Sequence, residues 1–138
     1  MARMLAGLIA GVVAGMAAML AIAFIGSFFY PLAVDPAVRD PVRQIVEAFP
    51  EAPLGAKLFV ALAWFAGGFI GAAVAARLSH RAAIGTVAAL LLTLAALANI
   101  FILPLPAWMQ IAALVLPLAG AMVANHLTAG RAPVPADA

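Results

Sequence analysis

The stretch Ala82–Gly130, AAIGTVAALLLTLAALANIFILPLPAWMQIAALVLPLAGAMVANHLTAG, runs for 49 residues without a charged side chain. A helix needs roughly 20 apolar residues to cross the hydrocarbon core of a bilayer, so the run holds two spans. Its middle, Leu103-Pro104-Leu105-Pro106, supplies the break. Proline has no N–H to donate and biases the residue before it towards extended backbone. The reading is a pair of spans, Ala82–Leu103 and Ala107–Leu127, joined by a tight reversal. Pro117 lies inside the second of these, where it frees the Ala113 carbonyl and is expected to kink the helix.

Two further uncharged runs lie upstream. Met4–Val34 carries no charge, and neither does Leu58–Ala76. They predict spans at Met4–Tyr30, closed by Pro31, and at Ala56–Leu78, bracketed by Lys57 and Arg77, whose long stems carry charge to the interface. Met4–Tyr30 is too long for the apolar core of a secretory signal and reads as a retained first span. The expected fold is all-α, an integral membrane four-helix antiparallel bundle forming one domain over residues 1–130, with a flexible cytoplasmic tail at 131–138. In the first outer loop, Asp40-Pro41 is an N-cap followed by proline at the first helical position. Val42, Ile45, Val46 and Phe49 then recur at helical spacing, predicting a short amphipathic helix over Pro41–Phe49.

Composition agrees: 68% of the 138 residues are hydrophobic and 9% charged, against about a quarter charged in soluble domains, and mean hydropathy is +1.21. The few charges report orientation. Arg3, Arg77, Arg81 and Arg131 flank one side with Asp137. Arg39, Arg43 and Lys57 share the first loop with Asp35, Asp40, Glu47 and Glu51. An excess of basic residues marks cytoplasmic loops, so both termini are expected in the cytoplasm of a bacterial inner membrane. No Lys/Arg cluster suggests a nucleic-acid partner, and with no cysteine no thiolate chemistry arises within the chain.

Small residues recur at i, i+4 spacing on three helices: Gly7, Gly11 and Gly15; Ala63, Gly67, Gly71 and Ala75; Gly120 and Ala124. In lipid such faces let helix backbones approach closely, within one bundle or between chains. Three faces exceed what a single bundle strictly needs, which favours a membrane-protein partner or a homo-oligomer. Polar residues within the spans are sparse. Asn99 and Gln110 sit at matching distances either side of the proline hairpin, where a mutual hydrogen bond would fix its register or the two amides would form a polar pocket. Arg77, His80 and Arg81 form a basic rim for anionic lipid headgroups. His80 and His126 lie too near the interface for haem ligation, no nucleophile, base and orienting acid come together, and no cofactor or metal is expected.

Gly67-Gly68-Phe69-Ile70-Gly71-Ala72 resembles a glycine-rich stretch of small dimeric fluoride channels, but it lies on the second span rather than the first and Ala75 stands where that family has an arginine. Small multidrug-resistance exporters use a glutamate in the first span, and Met4–Tyr30 holds no acid. Tyr30-Pro31, Leu62-Ala63-Trp64 with Gly67-Gly68 and Gly71, Asn99, and Pro104-x-Pro106-x-Trp108 together resemble a set of uncharacterised small four-span bacterial inner-membrane proteins. In that pattern the first span often carries a glutamate and a histidine near its outer end, where this chain has Ala23 and Ser27. The resemblance implies no activity. The functional expectation is a non-catalytic accessory or assembly subunit, docking on other membrane helices through its Gly/Ala faces. The alternative is a small homo-oligomeric channel or transporter for a neutral or anionic solute, with Asn99 and Gln110 lining the path.

Overall fold

A computed structural model describes residues 1–32, 35, 37 and 39–129; the tail at 131–138 lies outside the described residues. Five helices follow in order: α1 (Ala2–Phe29), α2 (Pro41–Ala48), α3 (Leu54–Ser79), α4 (Ala82–Ile102) and α5 (Ala107–Ala129). Four of them, all but α2, are long and apolar enough to cross a membrane, so the chain has the make-up of a multi-pass membrane protein.

The helix ends follow from local chemistry. α1 stops where the Tyr30 N–H closes the ladder on the Gly26 carbonyl (2.9 Å), one residue before Pro31. α3 starts at Leu54, two residues earlier than the charge pattern suggests. Pro53 is its N-cap, and the proline carbonyl accepts from the Ala56 N–H (3.0 Å). α3 ends at His80, which takes the left-handed conformation (φ 55°) usual at helix C-termini. The reversal into α4 is short because Ser79 ties it down: its buried hydroxyl donates to the Ala75 carbonyl (2.6 Å) and accepts from the Arg81 N–H (3.3 Å). Between α4 and α5, Leu103 is extended, the Leu105 N–H returns to the Leu103 carbonyl (2.8 Å), and the Pro106 carbonyl receives the Met109 N–H (2.9 Å). α5 continues through Pro117.

α3 is the hub. It packs against α1, α4 and α5, while α4 also touches α1 and α5. Along α1 and α3 the paired residue numbers run oppositely: Gly7 lies against Ser79, Gly11 against Gly71 and Ala75, and Gly26 against Phe59. The same reversal relates α3 to α5, with Gly68 on Pro117 and Phe65 on Gly120. One end of the bundle therefore gathers the start of α1, the end of α3, the start of α4 and the end of α5, and with them Arg3, Arg77, His80, Arg81 and His126. The other end carries α2 and the α4–α5 hairpin.

The core is built mainly from alanine. Ala72, Ala75, Ala88, Ala89 and Ala113 are fully enclosed, with Leu92, Met109 and Pro117 as the largest fully buried side chains. Such a core suits lipid, where close van der Waals contact rather than hydrophobic transfer joins helices. Towards the hairpin end, Trp64, Ala96, Leu105, Met109 and Ala113 form one cluster, and Phe49 joins it from the end of α2. Asp40 caps α2, its Oδ1 accepting from the Arg43 N–H (3.0 Å), with Pro41 at the first helical position. Phe49 and Ala52 are buried, whereas Val42 and Ile45 remain exposed. Arg43 Nε donates to the Glu47 carboxylate one turn on (2.7 Å). That hydrogen bond and the carboxylate charge push the exposed Arg43 guanidinium above its ordinary value.

Candidate functional site

All nine small residues singled out in the sequence are buried: Gly7, Gly11, Gly15, Ala63, Gly67, Gly71, Ala75, Gly120 and Ala124. Their neighbours belong to the chain itself. A Cβ placed on Gly11 would stand 2.5 Å from the Ala75 Cβ and 2.6 Å from the Gly71 carbonyl oxygen, and one on Gly15 would stand 2.8 Å from the Gly67 oxygen. From the other side, a Cβ on Gly67 or Gly71 would come within 3.0 Å of the Gly15 or Gly11 oxygen. The first two faces are thus the two sides of one seam between α1 and α3. On α5, Gly120 faces the Phe65 carbonyl and the Phe69 N–H of α3. These faces are spent on internal packing, and none is left on the surface for a partner.

Besides Gly55, which lies against the Tyr30 ring, three close approaches fall outside the i, i+4 stripes named from the sequence. Gly68 lies under the Pro117 backbone, Gly85 of α4 lies against the Ala72 carbonyl, where a Cβ would stand 2.7 Å from the oxygen, and Gly26 receives the Phe59 side chain. Gly26 has no small residue four positions away; Gly68 and Gly85 do, in Ala72 and Ala89, but spacing does not say which backbone each one meets.

The paired amides at the hairpin do not bond each other. Asn99 Nδ2 donates to its own helix at the Ala95 and Ala96 carbonyls (3.2 and 3.3 Å), and Gln110 Nε2 donates to the Leu105 carbonyl (3.0 Å). Equal depth does not set rotation about the helix axis, and each amide satisfies a nearby carbonyl instead. Another pair joins α4 to α5: Asn125 Nδ2 donates to Thr86 Oγ1 (3.1 Å), while Asn125 Oδ1 is buried without a partner among the described residues.

The expected basic rim divides into two settings. His80 forms the left-handed cap of α3 and Arg81 the extended residue leading into α4. Arg77, in the last turn of α3, instead borders a groove of about 310 Å³ between α3 and α5, whose walls include Phe69, Ile70, Ala73, Val74 and Leu127. At the opposite end, a cavity of about 300 Å³ lies between α1, α2 and α3, lined by Ala23, Ser27, Tyr30, Ile45, Phe49 and Phe59 among others. Ser27 donates to the Phe24 carbonyl (2.6 Å), and the Phe29 and Phe59 rings stack at 5.9 Å. No family model, curated protein or solved structure matches the chain.

Proposed function

We propose that the chain is a non-catalytic integral protein of a bacterial inner membrane, inserted as an antiparallel four-helix bundle with both termini cytoplasmic, and that it serves as an accessory or assembly subunit for other membrane helices. The orientation draws support from the charges gathered by the fold. Arg3, Arg77 and Arg81 share one end with no carboxylate among the described residues there, whereas Asp35, Asp40, Glu47 and Glu51 belong to the loop and helix at the other. Basic excess of that kind marks the cytoplasmic side. In this arrangement α2 lies at the outer interface as an amphipathic helix, anchored by Phe49.

The observation that carries the subunit reading is the exposure of α1. Of its 28 residues only Gly7, Gly11, Gly15 and Gly26 are buried, so the whole face opposite the seam is open. Leu5, Ile9, Val13, Leu20 and Phe24 form a ridge of large apolar side chains along it. With the glycine faces occupied, this ridge is where another helix docks. The channel reading gains no comparable support, because Asn99 and Gln110 both bond backbone beside them.

A photo-crosslinking residue at Val13 or Leu20, compared with one at Leu94 on α4, tests the proposal in native membranes. Crosslinks to a second membrane protein or a second copy are expected from the α1 positions and not from Leu94. A monomer that yields only lipid adducts from every position overturns it.

A further inference from the structure

We propose that the groove between α3 and α5 is a binding site for one anionic phospholipid, with its phosphate on Arg77 and an acyl chain along Phe69, Ile70, Ala73, Val74 and Leu127. The groove holds about 310 Å³ and is walled by apolar side chains on both helices, with Arg77 as its charged member. Two other concavities among the described residues have no charged side chain in their lining: the cavity beneath α2 is bordered by residues such as Tyr30 and Phe59, and the groove between α1 and α4 by Leu5, Leu8 and Ile84.

Charge complementarity selects the occupant. The Arg77 side chain is exposed and makes no hydrogen bond or ion pair among the described residues. Its planar fork matches phosphate oxygens in a bidentate arrangement, and its aliphatic stem can lie along the groove with the guanidinium at headgroup depth. Arg77 is also in the last turn of α3, so it stands at the end of its span, where lipid phosphates lie. Basic pockets between helices on the cytoplasmic side bind anionic headgroups in this way. The apolar walls make the site one for an intact lipid rather than for free phosphate. This inference rests on the membrane insertion proposed above and is independent of docking at α1.

The test is native mass spectrometry of the full chain, released from micelles supplied with equal amounts of phosphatidylglycerol and phosphatidylethanolamine. The wild type is expected to retain one phosphatidylglycerol in preference to phosphatidylethanolamine. Arg77→Gln should lower that preference about five-fold, the equivalent of roughly 1 kcal/mol for one arginine near the surface. Arg3→Gln, which removes the same charge at the same end of the bundle but outside the groove, should leave it nearly unchanged. Ala73→Leu, which partly fills the groove, should reduce retention of the bound lipid while far-UV circular dichroism stays that of the wild type. Equal losses from Arg77→Gln and Arg3→Gln would overturn the site in favour of diffuse attraction, as would full retention by a folded Ala73→Leu. Loss of crosslinking at α1 with the lipid preference intact would sink the subunit reading alone.

Discussion

Gly67 and Gly68 are neighbours in the middle of α3, yet a methyl group added to each meets a different kind of neighbour. At Gly67 the new Cβ would press on the Met19 side chain, closest to its Cγ and 2.6 Å from its Cε, with the Gly15 oxygen at 3.0 Å. Methionine is unbranched and repacks easily. At Gly68 the same atom would fall on the Pro117 carbonyl oxygen and 2.5 Å from the Pro117 Cα, roughly 1 Å inside an ordinary carbon–carbon contact. Backbone cannot swing aside, so α3 and α5 must part, which also loosens the contact of Gly120 with Phe65 and Phe69.

Replacing glycine by alanine inside a helix favours folding by about 1 kcal/mol, and that gain is common to both sites. Overpacking costs about 1–3 kcal/mol. The rigid contact at Gly68 takes the upper end, leaving Gly68→Ala a net loss of about 2 kcal/mol, or roughly 30-fold in the unfolding equilibrium. Gly67→Ala should stay within about 1 kcal/mol of wild type, since the movement of Met19 offsets only the helix gain. Reversible unfolding of both variants in mixed micelles, followed by far-UV circular dichroism, measures the difference directly. Equal stabilities would refute the assignment of the Gly68 face to the α5 backbone.

Three more outcomes follow from single features. His80→Gly should stabilise the protein by about 1 kcal/mol, because glycine meets the left-handed backbone at the end of α3 without the clash of a Cβ; a lowered thermal midpoint would show that the His80 side chain contributes more than the cap conformation costs. Asn99→Leu and Gln110→Leu should be additive within about 0.5 kcal/mol in a double-mutant cycle, as their bonds are separate; coupling well above that would mean that the amides meet. Asp40→Ala removes the cap on α2, worth about 1 kcal/mol, so hydrogen exchange should accelerate at the amides of α2 while those of α3 and α4 keep their protection, and uniform acceleration would mean that α2 is integral to the stability of the bundle.

The four long helices were legible because a span is specified by length and hydropathy, the α3–α4 reversal because Arg77 and Arg81 interrupt the apolar run, and the end of α1 and the α4–α5 reversal because Pro31, Pro104 and Pro106 stop the ladder there. The cap at Asp40-Pro41 was legible for the same local reason. What escaped the sequence was rotational. Gly67 and Gly68 are one residue apart and so about 100° apart around the helix, which turns one towards α1 and the other towards α5. A stripe at i, i+4 spacing reports that a face approaches something closely but not what it approaches. Gly7, Gly11 and Gly15 looked like one surface and Gly67 and Gly71 like another, when they are opposite sides of the same contact. Asn99 and Gln110 failed as a pair because rotation about α4 and α5 is set by the packing of Ala96, Met109 and Ala113, not by distance from the hairpin.

With the small-residue faces of α1, α3 and α5 all turned inward, the surface left for a partner is the outer side of α1. α3 meets α1 through Gly67 and Gly71, α5 through Gly68, and α4 through Ala72 beneath Gly85, so the helix richest in small residues has its small-residue faces turned inward. α1 has one glycine face, already closed on α3, and exposes large apolar side chains interspersed with alanines over the rest. A helix held on one side by close backbone contact and bare on the other is well placed to stay fixed on its own bundle while presenting Leu5, Ile9, Val13, Leu20 and Phe24 outward. Lipid covers such a ridge without specificity, whereas a partner helix must fit between its side chains. The Val13 and Leu20 crosslinks separate these cases because a docked helix yields a single protein adduct at one register, and lipid does not.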